Sequence, residues 1–230
     1  MHSKWPLYNI FQQFRRPELE YLKTQGYEFS DPYDIVDIFE NKIASFFGAK
    51  YGIAVDCCSH GLFLCLKYLN ASGTIRLPRY TYGSVPMQVE HAGCNFALTD
   101  EKWEGIYKLD PYPIWDAAAL WKPNTFVDDF FVVSFQIKKM LCIGKGGMIL
   151  TNNEDAKNWL KLVRYDGRTN IYDQEQGDFS CSGYHYYMTP EDAARGIIIF
   201  DNLPDIECVP SWKNYHNLDR YTYFKNKLIS

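Results

Sequence analysis

Apolar residues recur along this chain with two alternating periods. Ile35, Ile38, Phe39, Ile43, Phe46 and Phe47 fall at three- and four-residue spacing, the pattern of a helix with one buried face, and Gly48 ends the run. Ser30-Asp31-Pro32 precedes it, so Asp31 is expected as the N-cap and Pro32 at the first helical position. Tyr51 to Val55 reads as a short buried strand. Cys58-Ser59-His60-Gly61 then turns into a second helix carrying Leu62, Leu64, Leu66 and Leu69. Strands are expected at Thr74–Pro78, Phe96–Asp100, Tyr112–Asp116, Phe130–Phe135 and Gly146–Thr151. Helices are expected at Ser84–His91, at Glu154–Arg164, and from a Thr189-Pro190 cap to about Leu203. The first thirty residues show no clear period, and Arg15-Arg16-Pro17 reads as a break.

Strand and helix alternate, so the class is α/β with a mainly parallel sheet. In such sheets reacting groups gather at the carboxyl ends of the strands. That rule selects Asp56–Ser59, Tyr80–Tyr82, Asp116 and Ser134–Lys139. Composition narrows the picture further. The chain is 47% hydrophobic and 23% charged, which excludes disorder, collagen and coiled coil. Its formal net charge of -4 speaks against nucleic acid as the main partner. Aromatic residues reach 17%, which fits flat rings packed in a core, a site or a subunit interface. No apolar run is long enough to span a membrane, and Met1-His2-Ser3-Lys4-Trp5-Pro6 has no signal-peptide core. The seven cysteines form no C-x-x-C pair and no zinc spacing. A cytoplasmic protein with reduced thiols and no metal site is therefore expected.

The groups at the strand ends could carry chemistry. The backbone amides of Cys58-Ser59-His60-Gly61 and the Ser59 hydroxyl could hold a phosphate, and the same groups serve an ordinary helix cap. Asp116 follows an apolar strand, where a carboxylate either caps a helix or pairs with a protonated ring nitrogen. Lys138 and Lys139 lie just beyond a buried strand. A lysine in a desolvated pocket can form a Schiff base with an aldehyde, while two solvated lysines carry none of this chemistry. Gly144-Lys145-Gly146-Gly147 follows the lysines and precedes a strand, the wrong order for a Walker or Rossmann loop.

Taken together, these segments resemble the DegT/DnrJ/EryC1/StrS sugar aminotransferase family, fold-type-I enzymes dependent on pyridoxal 5'-phosphate (PLP). Asp37-Ile38-Phe39-Glu40 through Val55 resembles the family's opening helix and first strand. Cys57-Cys58-Ser59-His60-Gly61-Leu62 stands at its phosphate turn, and Pro78-Arg79-Tyr80-Thr81-Tyr82 resembles its Pro-x-Tyr-Thr-aromatic segment. Asp116-Ala117-Ala118 resembles its Glu-Asp-Ala-Ala-Gln. Most specific is Ser134-Phe135-x-x-x-Lys139 followed by Gly144-x-Gly146-Gly147, whose spacing chooses Lys139 over Lys138. Arg164-x-x-Gly167 and Gly183-Tyr184-His185-Tyr186-Tyr187-Met188 resemble the later motifs. The likeness runs from about residue 25 to about residue 203.

The resemblance implies a three-layer sandwich with a PLP-binding large domain over residues 1–205. Residues 206–230 would be a short C-terminal remnant of a small domain that is largely missing. It implies that Lys139 holds the cofactor as a Schiff base and then moves protons as general acid and base. Asp116 would pair with the pyridine nitrogen, and Tyr82 would stack on the ring. Cys58, Ser59 and Ser134 would hold the phosphate, with His185 reaching it across a homodimer interface. The implied reaction moves an amino group, from glutamate, to a nucleotide-linked keto sugar in polysaccharide biosynthesis. Several positions depart from the family: Trp115 precedes Asp116, Ala119 follows where a Gln is usual, Tyr187 replaces Arg, and Lys145 replaces Glu. Two other readings stand beside this one. A keto-sugar dehydratase would use the same cofactor, although that branch of the family carries His in place of the lysine. A degenerate, non-catalytic homologue would act as a binding or assembly partner.

Overall fold

The apolar runs pair into a sheet with helices on both faces. The computed structural model describes residues 16–127, 129–169 and 177–227. The N-terminal stretch read above for a signal peptide, and Arg15, lie outside these residues. The strands are β1 (Tyr51–Val55), β2 (Thr74–Pro78), β3 (Asn95–Thr99), β4 (Tyr107–Lys108), β5 (Ile114–Asp116), β6 (Phe130–Ser134) and β7 (Gly147–Thr151). The helices are α1 (Pro17–Thr24), α2 (Asp34–Phe47), α3 (Cys58–Tyr68), α4 (Ser84–His91), α5 (Glu154–Val163), α6 (Pro190–Asn202) and α7 (Thr222–Lys227).

Five strands hydrogen-bond in the order β1-β7-β6-β5-β4, and β2 and β3 form a parallel pair. An antiparallel bridge between Arg76 and Asp110 ties that pair to the end of β4. Strands β5 and β6 are parallel, β7 runs against both β6 and β1, and β4 runs against β5. By direction β1, β5 and β6 therefore agree, and their carboxyl ends (Asp56, Asp116 and Ser134) lie on one edge.

The period of two decides which side chain faces which layer. Ile53, Val55, Val132 and Ile149 pack with α3, α4 and α5 on one face. Ala54, Phe131, Val133, Met148 and Leu150 pack with α1, α2 and α6 on the other. This is a three-layer α/β sandwich. Each fully buried Phe, Leu or Ile contributes about 1.5–3 kcal/mol. Helix α3 lies close on the sheet because Gly61 has no side chain: a Cβ there would come within 2.8 Å of Val132. Among the described residues no helix is long and apolar enough to cross a membrane.

The second helix starts later than its sequence suggests. Tyr33, not Asp31, is the residue before α2, and Pro32 sits in a turn ahead of the helix. The Asp34 carboxylate accepts from the amides of Ser30 (2.9 Å) and Asp31 (2.8 Å), and Asp31 accepts from the amide of Tyr33 (2.9 Å). Two aspartates closing one tight turn hold the chain out of the helix until Asp34. The end matches expectation: Gly48 adopts φ 84°, the left-handed C-cap that favours glycine. No periodic signal announces α1, yet Pro17 starts it at the predicted break. Strand β4 and the segment after α6 also carry no periodic pattern.

A buried charge cluster clamps α2, α5 and β1 together. Glu40 Oε1 accepts from the backbone amide of Ala54 (2.8 Å) and from Arg164, and Arg164 also donates to the Ala54 carbonyl (2.6 Å). Lys161 Nζ lies 2.9 Å from Glu40 Oε2, an ion pair whose angle falls outside hydrogen-bond geometry.

Candidate active site

Three loops at the carboxyl edge of the sheet build the site. The first leaves β1. Cys57 is extended (φ -164°), and its Sγ accepts from the His60 amide at 3.4 Å, so the helix starts at Cys58. The amides of Cys58 and Ser59 then point past the helix end with no acceptor among the described residues. Ser59 Oγ lies 2.7 Å from Ser84 Oγ, at the start of α4. Two free amides, two hydroxyls and a helix N-terminus suit a phosphate. Gly147 runs directly beneath this turn, where a Cβ would stand 2.5 Å from the nitrogen of Cys58. Ser134 pairs with Gly147 in register, which brings its half-buried hydroxyl to the same corner.

The second group is Asp116, at the end of β5 and only 5% exposed. Its Oδ1 accepts from the Ala118 amide (2.8 Å) and its Oδ2 from the Tyr107 hydroxyl, which also meets Thr81. Each oxygen keeps a lone pair for another donor. Burial raises the pKa of this carboxyl, while Tyr107, the Ala118 amide and the Lys139 ammonium pull it down.

The third group is Lys139, in a turn closed by its amide on the Gln136 carbonyl (2.8 Å). Lys138 is exposed, whereas Lys139 is half-buried. The Lys139 ammonium bears electrostatically on both Asp116 and Cys58. The structure therefore brings Cys58, Ser59, Asp116, Ser134 and Lys139 to one corner. Tyr82 lies on the turn after β2, 68% exposed, with no ring neighbour among the described residues. His185 stands apart, exposed and 3.1 Å from Asp166.

Beside the phosphate turn is a charged cluster that the sequence did not point to. His60 Nδ1 donates to Asp56 Oδ1 (2.6 Å), Lys145 donates to Asp56 Oδ2 (3.0 Å), and the His60 ring stacks on Tyr186 at 3.7 Å. Asp56, Cys57 and His60 hold one possible metal-ligand atom each within 4.8 Å of the others, but Asp56 and His60 already satisfy one another and Lys145 competes for the carboxylate. Burial works against the charge on His60, but bonds to Asp56 and Cys57 outweigh it and raise its pKa to about 9. Protonated His60 therefore adds stability that is complete below its unfolded value of 6.5 and fades as the pH rises through about 9. The gap in thermal midpoint between wild type and His60→Gln should follow that course. A gap that stays constant over this range would show that folding does not raise the pKa of His60.

A half-buried lysine and a buried carboxylate thus stand beside free helix amides at the carboxyl edge of a three-layer sandwich, the fold of the aminotransferase structures this chain resembles. The chain belongs to the DegT/DnrJ/EryC1/StrS aminotransferase family, whose pattern matches residues 18–113 and 122–208. It is similar to the spore coat polysaccharide biosynthesis protein SpsC of Bacillus subtilis (strain 168), with 22% identity over 225 residues, 75% of this chain and 58% of that protein. In fold it is similar to the sugar aminotransferase CalS13 from Micromonospora echinospora (TM-score 0.65, 15% identity, 81% of this chain and 65% of that one). It is also similar to DesI, whose structure was determined in the presence of its TDP-sugar product (TM-score 0.62, 18% identity, 83% of this chain and 58% of that one). The chain thus spans about three-fifths of the length of these relatives.

Sequence reasoning missed Tyr107 and Ser84; the strand-end rule selected the segments that hold Asp56 and Thr81, but it foresaw neither the Asp56–His60 pair nor the contact of Thr81 with Tyr107. Ser84 opens a predicted helix and could have been found there. Tyr107 sits on a two-residue strand with no periodic neighbours, so its link to Asp116 is visible only in three dimensions.

Proposed function

We propose that this domain binds PLP and transfers an amino group, from glutamate, to a nucleotide-linked keto sugar. The observation that carries the reading is the placement of Lys139 within electrostatic reach of Asp116, beside the free amides of Cys58 and Ser59. The residues present fit the cofactor: an anion cradle at one end, a buried carboxylate with spare lone pairs at the other, and an amine between. When bound, the cofactor supplies an electron sink for the bonds broken at the amino carbon. The amides of Cys58 and Ser59 and the hydroxyls of Ser59 and Ser134 hold the phosphate. Asp116 keeps a proton on the ring nitrogen, and Tyr107 and Ala118 fix that carboxylate's orientation. Lys139 Nζ would take the proton from the donor's amino-bearing carbon in the first half of the transfer and give one to the acceptor's carbon in the second. Tyr82, exposed as a ring, covers one face of the cofactor, and His185 serves a partner copy of the chain in a homodimer.

The substrate class is supported by the sugar aminotransferases of like fold and by the TDP-sugar named for DesI. Retention of Lys139 favours transfer over the dehydratase reading. Purified protein titrated with PLP should gain a visible absorbance that borohydride bleaches, and glutamate should then convert that band. Protein that takes up no PLP would overturn the proposal.

A further inference from the structure

The segment after α6 does not stand away from the site. It runs as a strap across the loops at the carboxyl edge. Cys208 and Trp121 exchange backbone hydrogen bonds of 2.8 Å, and the Gly105 amide donates to the Pro210 carbonyl at 2.6 Å. Further on, the Trp212 amide donates to Trp103 (3.1 Å) and the Leu218 amide to Arg79 (2.9 Å). Asp219 pairs with Arg79, and Leu218 and Phe224 are buried in the face of the sandwich that holds α3. The strap is thus fastened to the loops after β2, before β4 and after β5.

In the middle of the strap stands Tyr215. Its ring lies 5.3 Å from that of Trp103, and Trp103 lies 5.0 Å from Tyr107, whose hydroxyl holds Asp116. The Tyr215 side chain is half-buried, and its hydroxyl has no hydrogen-bond partner among the described residues. Burial, then the charge of Asp116 and the proximity of Cys58, push its phenol well above the ordinary range. An aromatic alcohol held on the strap by Trp103, within electrostatic reach of Asp116 and Cys58, has the chemistry of a ligand contact.

We propose that the strap Ser211–Tyr221 is a wall of the PLP site and that Tyr215 on it contacts the cofactor between the Asp116 carboxylate and the Cys58 end of α3. This inference rests on the PLP reading above and adds to it a residue from outside the family's matched segments, which end at 208.

The test compares PLP titrations of wild type, Tyr215→Phe and Tyr215→Ala by visible absorbance, with hydrogen exchange of the strap amides measured with and without PLP. Loss of a contact of this kind weakens binding by about tenfold in Tyr215→Ala. Tyr215→Phe keeps the wall but shifts the pH at which the bound chromophore titrates, a change that a merely structural ring would not produce. In wild type, PLP slows exchange across residues 211–221. If Tyr215→Ala fails to fold, the Phe variant and the exchange experiment decide. Wild type that takes up PLP, with both variants matching it and no slowing in the strap, overturns this inference alone. Wild type that takes up no PLP overturns it together with the proposed function.

Discussion

Lys139→Ala should abolish the borohydride-sensitive absorbance of PLP-treated protein, while Lys138→Ala should leave it intact. The two lysines are adjacent and chemically identical in sequence. What separates them is the turn, which leaves Lys138 exposed and tucks Lys139 toward the Asp116 carboxylate. On the proposed reading, the amine at that place is the one that reaches a cofactor held between Asp116 and the amides of α3. Amino transfer should fall by at least about 10²–10⁴-fold in Lys139→Ala, the range expected for losing a positioned proton carrier. Tryptic mapping after borohydride reduction would identify the labelled lysine. Label on Lys138, or label retained in Lys139→Ala, would refute the assignment of the site.

The largest loss of stability is expected from Arg164→Met. Arg164 and Glu40 are buried and both grip Ala54 in the middle of β1. Removing the guanidinium leaves a buried carboxylate with Lys161 as its remaining cation and strips a donor from the Ala54 carbonyl. Breaking one side of a buried pair costs about 3–5 kcal/mol, whereas replacing both sides with apolar groups costs far less. Urea unfolding of Arg164→Met should therefore show a loss of that size, and the double variant with Glu40→Leu should recover part of it. A loss below about 1 kcal/mol would mean that water reaches the pair and that it resembles a surface ion pair.

The sheet was legible because its strands obey a strict rule. Phe130-Phe131-Val132-Val133 and Met148-Ile149-Leu150 are apolar on both faces, as central strands between two helical layers must be. Helix α6 announced itself through its cap, where Thr189 accepts from the Asp192 amide, and α5 proves to be capped likewise, by Asn153 accepting from the Ala156 amide. The start of α2 was misplaced because a proline after an aspartate fits both a helix start and a turn, and the carboxylate of Asp34 decided for the turn. Within the site, Cys58, Ser59, Asp116, Ser134 and Lys139 could be singled out because strand ends share an edge. Tyr107 and Tyr215 could not. Tyr107 reaches the corner through its hydroxyl on Asp116 and Tyr215 through a ring contact with the distant Trp103, and no periodic pattern encodes either. The aromatic excess in the composition was the one available hint.

Gly147 links the first loop of the site to the third. The backbone at 147 touches the first turn of α3 with no room for a methyl group, and the same glycine ends the run that begins at Lys139. The first turn of α3 and the strand after the Lys139 loop therefore meet at one glycine. A side chain larger than hydrogen at 147 would push on the first turn of α3 and on the strand that follows the lysine loop together.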